Sequence, residues 1–145
     1  MDENHIPTTD HVLRYISPRH IDNGVINGVG ILGRPLEKGE ASANWLECFQ
    51  GNLLEQLNEV RIRKRIKYAA TGKLVRLNVG VTYTYLKEKN YGIKFLKDPL
   101  PAIEDYVEDP SHALICGLPD NESSERTIIG DFLEHCILDS FPARG

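Results

Sequence analysis

Leu74-Val75-Arg76-Leu77-Asn78-Val79-Gly80-Val81-Thr82-Tyr83-Thr84-Tyr85-Leu86 is the stretch whose reading decides the fold. Val75, Leu77, Val79, Val81, Tyr83 and Tyr85 alternate with Arg76, Asn78, Gly80, Thr82 and Thr84, and a strict period of two puts each set on its own face of an extended chain. The alternation predicts one long strand over 74–86, at or near the centre of an antiparallel sheet, with its apolar face on the core.

Downstream, Lys87 to Gly92 reads as a polar turn and Ile93–Leu96 as a short edge strand. Asp98-Pro99-Leu100-Pro101 breaks the pattern and opens an acidic surface connection that runs to Asp109-Pro110. Ala113-Leu114-Ile115-Cys116 is continuously apolar and predicts a buried strand. Asp120 to Ser124 offers several N-caps, with Glu122 and Glu125 favourable at a helix start. Ile128, Ile129, Phe132, Leu133, Cys136 and Ile137 then form a helical stripe over about 123–139, and Pro142 ends it. Upstream, Val12 to Ile16 predicts a first strand stopped by Ser17-Pro18, because proline cannot donate to a ladder. Asp22-Asn23-Gly24 is a turn, and Val25–Leu32 predicts a second strand that could form a hairpin with the first.

Two capping boxes follow. Asn44-Trp45-Leu46-Glu47 predicts a helical turn over 45–50, and Asn52-Leu53-Leu54-Glu55 opens a helix over about 53–69 that ends at Thr71-Gly72. Leu53, Leu57 and Val60 share a face of that helix with Tyr68, and Ile62 and Ile66 lie opposite. Together these elements predict an α+β domain: a mostly antiparallel sheet of four to five strands, with the helices near 53–69 and 123–139 on one face. Residues 1–10 are expected to be a flexible tail and 11–145 a single domain.

The chain has 145 residues, 41% hydrophobic and 26% charged, which is ordinary for a globular chain with one core. No apolar run approaches the roughly 20 residues of a membrane helix. The opening Met1-Asp2-Glu3-Asn4-His5-Ile6-Pro7 has neither the basic nor the apolar region of a signal peptide. A cytoplasmic protein without membrane contact is expected. Cys48, Cys116 and Cys136 are widely spaced and odd in number, which suits reduced thiols.

The formal charge of −4 hides a block pattern. Residues 1–60 carry −5, residues 61–97 carry +10 and residues 98–145 carry −9. Such blocks govern partners and association rates more than fold. Arg61, Arg63, Lys64, Arg65 and Lys67, extended by Lys73 and Arg76, are therefore the candidate polyanion-binding residues, with Tyr68 placed to stack on a base. Nucleic acid or an acidic protein is one possible partner, and a second copy meeting the basic segment with its acidic one is another. The competing reading is that these cations are solvated or pair within the chain.

Two further candidates carry chemistry. Asp109-Pro110-Ser111-His112 places a carboxylate three residues before a histidine that borders a buried strand, so Asp109 could orient His112 as a general acid or base. Cys116 falls on the same face but about 13 Å away at roughly 3.3 Å per residue, too far for a shared metal or a thiol–imidazole pair. Satisfied turn and core residues are the plainer reading. Trp45 is read as a core anchor, with a partner interface as the alternative. Gly28-Val29-Gly30-Ile31-Leu32-Gly33 matches a dinucleotide fingerprint, but Arg34-Pro35 and Lys38-Gly39 leave no helix to receive a pyrophosphate, so bulged strand glycines are expected. No segment supplies two zinc ligands at a workable spacing, and no metal or cofactor is expected.

His11-Val12-Leu13-Arg14-Tyr15, Ala41-Ser42-Ala43-Asn44-Trp45-Leu46-Glu47 and Asp109-Pro110-Ser111-His112-Ala113-Leu114-Ile115, taken in order, resemble a family of small, free-standing, uncharacterised bacterial proteins. Ala43 stands where that family more usually has valine. The resemblance implies a small bacterial cytoplasmic protein and brings no activity with it. The expected function is a non-catalytic accessory or regulatory binding module using the ridge 61–76; the alternative is a small enzyme acting through His112.

Overall fold

Strand β1 (His11–Ile16) is apolar on both sides, with Val12, Leu13 and Ile16 all buried, and so belongs inside a sheet covered on both faces. The computed structural model, which describes residues 3–32, 39–119 and 124–145, places it there. Six antiparallel strands run in the order β6 (Lys94–Lys97), β7 (His112–Cys116), β4 (Ala41–Trp45), β1, β5 (Lys73–Asn78) and β8 (Ile137–Pro142). A separate hairpin joins β2 (Ile21–Asp22) to β3 (Val25–Ile26) through Asn23 and Gly24, whose φ values of 52° and 81° make the two-residue turn that matches strand twist. The protein is α+β with a mostly antiparallel sheet, and has more strands than the four or five expected. The additional ones are β4, whose end Asn44-Trp45 reads as a helix cap and first turn, and β8, whose start reads as the end of a helix.

The long strand predicted over 74–86 ends at Asn78. The Asn78 side chain accepts from the Val81 amide at 2.8 Å and caps α2 (Val79–Glu88). Val79, Thr82 and Leu86, three and four residues apart, are the buried positions of this helix. Val81 and Tyr83, assigned to the inner face by the period of two, are exposed. Gly80 lets the first turn lie against Thr8, since a Cβ there would stand 2.8 Å from the Thr8 carbonyl oxygen.

Helix α1 (Leu53–Arg63) starts with the expected box, Glu55 N–H to Asn52 at 2.9 Å and Asn52 N–H to Glu55 at 3.0 Å. It stops six residues short of 69. Arg61, Arg63, Lys64, Arg65 and Lys67 would crowd like charges on one short helix, and the chain instead leaves the helix with Lys64 extended. Helix α3 (Ser124–Cys136) likewise stops before 139, because Ile137 enters β8 and pairs with Leu77. Of the caps expected at 120–124, residues 120–123 lie outside the described residues. Val25–Leu32 is a strand only at β3. Gly28–Ile31 is a 3-10 turn capped by Asn27, and Gly33 of the fingerprint lies outside the described residues.

The helices do not share a face of the sheet. Ile129 and Leu133 of α3, with Leu86 of α2, pack with Val12, Ile16, Val75 and Leu77. Leu57 and Val60 of α1 pack with Leu13 and Leu74, the alternate residues of the same strands. In the N-terminal segment, expected to be loose, residues 4–6 lie along β6, with Lys97 N–H donating to Asn4 O at 2.8 Å and Ile6 N–H to Phe95 O at 3.0 Å, and Thr8 and Asp10 accept from the Gly80 and Val79 amides at 2.9 Å. Among the described residues no helix is long and apolar enough to cross a membrane.

Candidate functional site

At one end of β1, β4 and β7 the side chains are polar and interlocked. Asp109 is 3% exposed and accepts from Asn44 Nδ2 at 3.1 Å, from the Ser111 N–H at 3.1 Å and from the Ser111 hydroxyl at 2.7 Å. Asn44 Nδ2 also reaches Ser111 Oγ at 2.9 Å, and the Trp45 N–H donates to Ser111 O at 2.7 Å. Asp109 therefore fixes the entry to β7; it meets His112 through the backbone, the His112 N–H donating to Asp109 O at 3.4 Å, while its carboxylate is engaged by Asn44 and Ser111. The ring of His112 is held by Asp98, through its backbone oxygen at 3.0 Å and its carboxylate at 3.1 Å from Nδ1. The carboxylate beside the imidazole is that of Asp98, fourteen residues upstream, and not that of Asp109.

Beside this knot, His11 Nδ1 lies 2.5 Å from Glu47 Oε2 while the His11 N–H donates to Glu47 Oε1 at 2.7 Å. Glu47 is thus spent on β1, and the capping box predicted at 44–47 reduces to a 3-10 turn over Leu46–Cys48 with no side-chain cap. Trp45 is half-buried. Its Nε1 donates to Asp10 at 2.9 Å and the Lys97 ammonium stands 4.6 Å from its ring, so it anchors the N-terminal segment to β4. Asp10, Glu47, Lys97 and Asp98 were missed as site residues. Their partners His11, Trp45 and His112 all lie in the stretches that carry the family resemblance, and β1, β4 and β7 bring those stretches together.

The three thiols are free. Burial pushes the Cys48 thiol up, Asp109 pushes it further, and Arg63 and Lys97 oppose them. Burial also raises Cys116, with Glu40 adding to it, and Cys136. All three are held toward the thiol form, which disfavours nucleophilic use. Among the described residues no three metal-ligating side chains gather in a way that could hold an ion.

The basic stretch diverges. Arg61 donates to Pro142 O at 2.7 Å and Ala143 O at 3.3 Å, at the far end of β8. Arg63 donates to Glu59 at 3.1 Å and to Glu108 O at 2.6 Å, with its guanidinium 5.3 Å from the Phe49 ring. Arg65 donates to Pro101 O, and to Val107 O at 3.2 Å, with its guanidinium 5.8 Å from the Tyr106 ring. Arg76 makes a two-pronged pair with Asp139 at 2.9 and 2.6 Å. Tyr68 is 4% exposed and stacks on Tyr15 with centroids 4.5 Å apart, so neither ring face is free for a base. Its burial pushes the phenol up to about 12. Lys64 lies 5.6 Å over the Tyr68 ring and Lys67 is exposed; Lys73 is half-buried in β5.

Arg63 and Arg65 thus bind one element, the acidic excursion between β6 and β7. It is a small hairpin, with Leu100 and Asp109 exchanging two bonds of 2.9 Å and Ile103 and Tyr106 two of 3.1 and 2.7 Å. Its carbonyls attract the guanidinium groups, while Glu104, Asp105 and Glu108 stay exposed. Ile103, Tyr106 and Val107 are exposed on the hairpin, and Ile62 and Ile66 flank the same arginines in sequence and are also exposed. Compared with known proteins, the chain matches no family model, no curated protein and no solved structure.

Proposed function

We propose that the protein is a non-catalytic interaction module of the bacterial cytoplasm, and that its docking face is the junction of the basic stretch 61–67 with the acidic hairpin 100–109. The observation that carries this reading is the Arg65 clasp, which joins a cationic and an anionic segment into one fixed surface. Exposed Ile62, Ile66, Ile103, Tyr106 and Val107 supply apolar contact. Exposed Lys64 and Lys67 and exposed Glu104, Asp105 and Glu108 supply both signs of charge at the rim. A face carrying both signs is complementary to itself across a two-fold axis, where the basic stretch of each copy meets the hairpin of the other. The occupant is therefore a second copy. A polyanion would meet the three exposed carboxylates as well as the lysines, and several of the arginines a phosphate would need are committed to carbonyls.

Sedimentation or light scattering across protein concentration and salt tests this. A dimer that weakens with salt and is lost in Ile66→Asp, with the circular dichroism unchanged, supports the reading; a monomer at every concentration removes it. Oligonucleotide binding that falls steeply with salt would instead favour a phosphate partner. The second reading, an enzyme using His112 as acid or base, is supported by the Asp98 contact. Any hydrolytic activity found in a substrate screen must disappear in His112→Gln for it to stand.

A further inference from the structure

Away from both regions, the outer surface of α2 and α3 gathers aromatic side chains around an ammonium group. Lys89 follows the last turn of α2, where Asn90, at a φ of 69°, reverses the chain toward Tyr91. The Lys89 ammonium stands 5.4 Å from the centroid of Tyr85 and 5.5 Å from that of Phe132. The two rings meet edge to face at 6.0 Å and 78°. Tyr91 lies 6.1 Å from Phe132, and His135 lies 6.5 Å from Tyr85. No carboxylate pairs with Lys89 among the described residues, so this cation is held by ring faces alone.

Two aromatic faces at right angles, with a third ring beside them, present converging negative quadrupoles, the arrangement that recognises alkylated ammonium ions. Tyr85 also lines a shallow open depression of about 370 Å³ with Gly80, Val81, Thr84 and Glu88. Glu88 is exposed and has no ion-pair partner among the described residues. A cationic head on the rings would therefore have room for the rest of its molecule and a carboxylate within the same surface. We propose that Tyr85, Tyr91 and Phe132 form a recognition site for an organic ammonium head group, quaternary or N-methylated, and that Lys89 is the resident cation such a ligand displaces.

The test is a titration of the full chain with tetramethylammonium, followed by backbone amide shifts, in the wild type and in Lys89→Gln. The uncharged tert-butanol serves as the control of similar shape. Expected are saturable shifts confined to the surroundings of residues 85, 91 and 132, with Lys89→Gln binding about threefold to thirtyfold more tightly because the competing cation is gone. Adding Phe132→Leu to Lys89→Gln should abolish binding; if that double variant does not fold, Tyr91→Leu takes its place. No saturable shift in Lys89→Gln, equal affinity in the two proteins, an equal response to tert-butanol, or shifts mapping elsewhere would each overturn the proposal.

Discussion

Asp109→Ala probes the knot that joins β1, β4 and β7. The carboxylate is buried and accepts three hydrogen bonds. After truncation the Ser111 hydroxyl can turn and still serve Asn44, but the Ser111 N–H and one Asn44 N–H keep no acceptor. Each buried orphan costs about 1–3 kcal/mol, which places the loss at about 4 kcal/mol. For a chain of this length that is a fall in Tm of about 10–15 °C. Urea unfolding followed by Trp45 fluorescence measures it directly, because Trp45 is the single tryptophan and its backbone N–H bonds to Ser111 O. The midpoint should fall while the m-value stays constant. Asp109→Asn keeps an acceptor for Ser111 but turns an amide against the Asn44 donor, and should lose about half as much. A cycle of Asn44→Ala with Asp109→Ala should show about 1–2 kcal/mol of coupling. A loss under about 1 kcal/mol, or no coupling, would mean that water satisfies these groups and that the knot does not hold the strands.

The close approach of the 28–31 turn to α3 predicts that Gly28→Ala costs about 3 kcal/mol or more, since the new Cβ would stand 1.8 Å from the Gly130 carbonyl oxygen. Gly92→Ala, with nothing within 4 Å, should be neutral or slightly stabilising in the same melts. Asn52→Ala should cost about 1 kcal/mol in urea unfolding, because both halves of its capping box are formed. Tyr68 has its pKa raised from 10.0 to about 12 by burial, so its neutral form is the one folding favours. Its contribution is fully present below pH 10 and is lost as pH rises toward 12, about 2–3 kcal/mol in all. Alkaline unfolding with tyrosinate absorbance should show one phenol ionising late, and Tyr68→Phe should remove it.

The α+β class and the antiparallel sheet were legible because β1, β5 and β7 read as strands from either their alternation or their continuous burial. The end of β5 was not. Residues 74–86 satisfy a period of two throughout, yet Val79, Thr82 and Leu86 also satisfy the helical period, and both patterns fit the same residues. Asn78 decides between them by capping Val81, a role that alternation conceals because Asn at an outward strand position looks ordinary. Helix placement was illegible for a different reason. An apolar stripe says that a helix must be covered but not by which face of a sheet, and only the double-sided burial of Val12, Leu13 and Ile16 signals that both faces are used.

Charge counting does not resolve the single side chain. Summing 61–97 gives a large positive total, but the sum treats a guanidinium as a free charge, whereas irregular backbone offers unpaired carbonyls that a five-donor group satisfies better than water does once it is partly buried. Arg14 on Ile31 O at 2.9 Å, Arg126 on Pro119 O at 2.8 Å and Arg144 on Tyr68 O at 2.8 Å repeat what Arg61, Arg63 and Arg65 do. Among the lysines, Lys67 is left exposed, while the Lys64 ammonium donates to Arg61 O at 3.2 Å and Lys73 is half-buried. A basic run in a chain with long turns therefore has to be read one side chain at a time. In this protein that reading commits Arg61, Arg63 and Arg65 to backbone carbonyls and leaves Lys67 exposed.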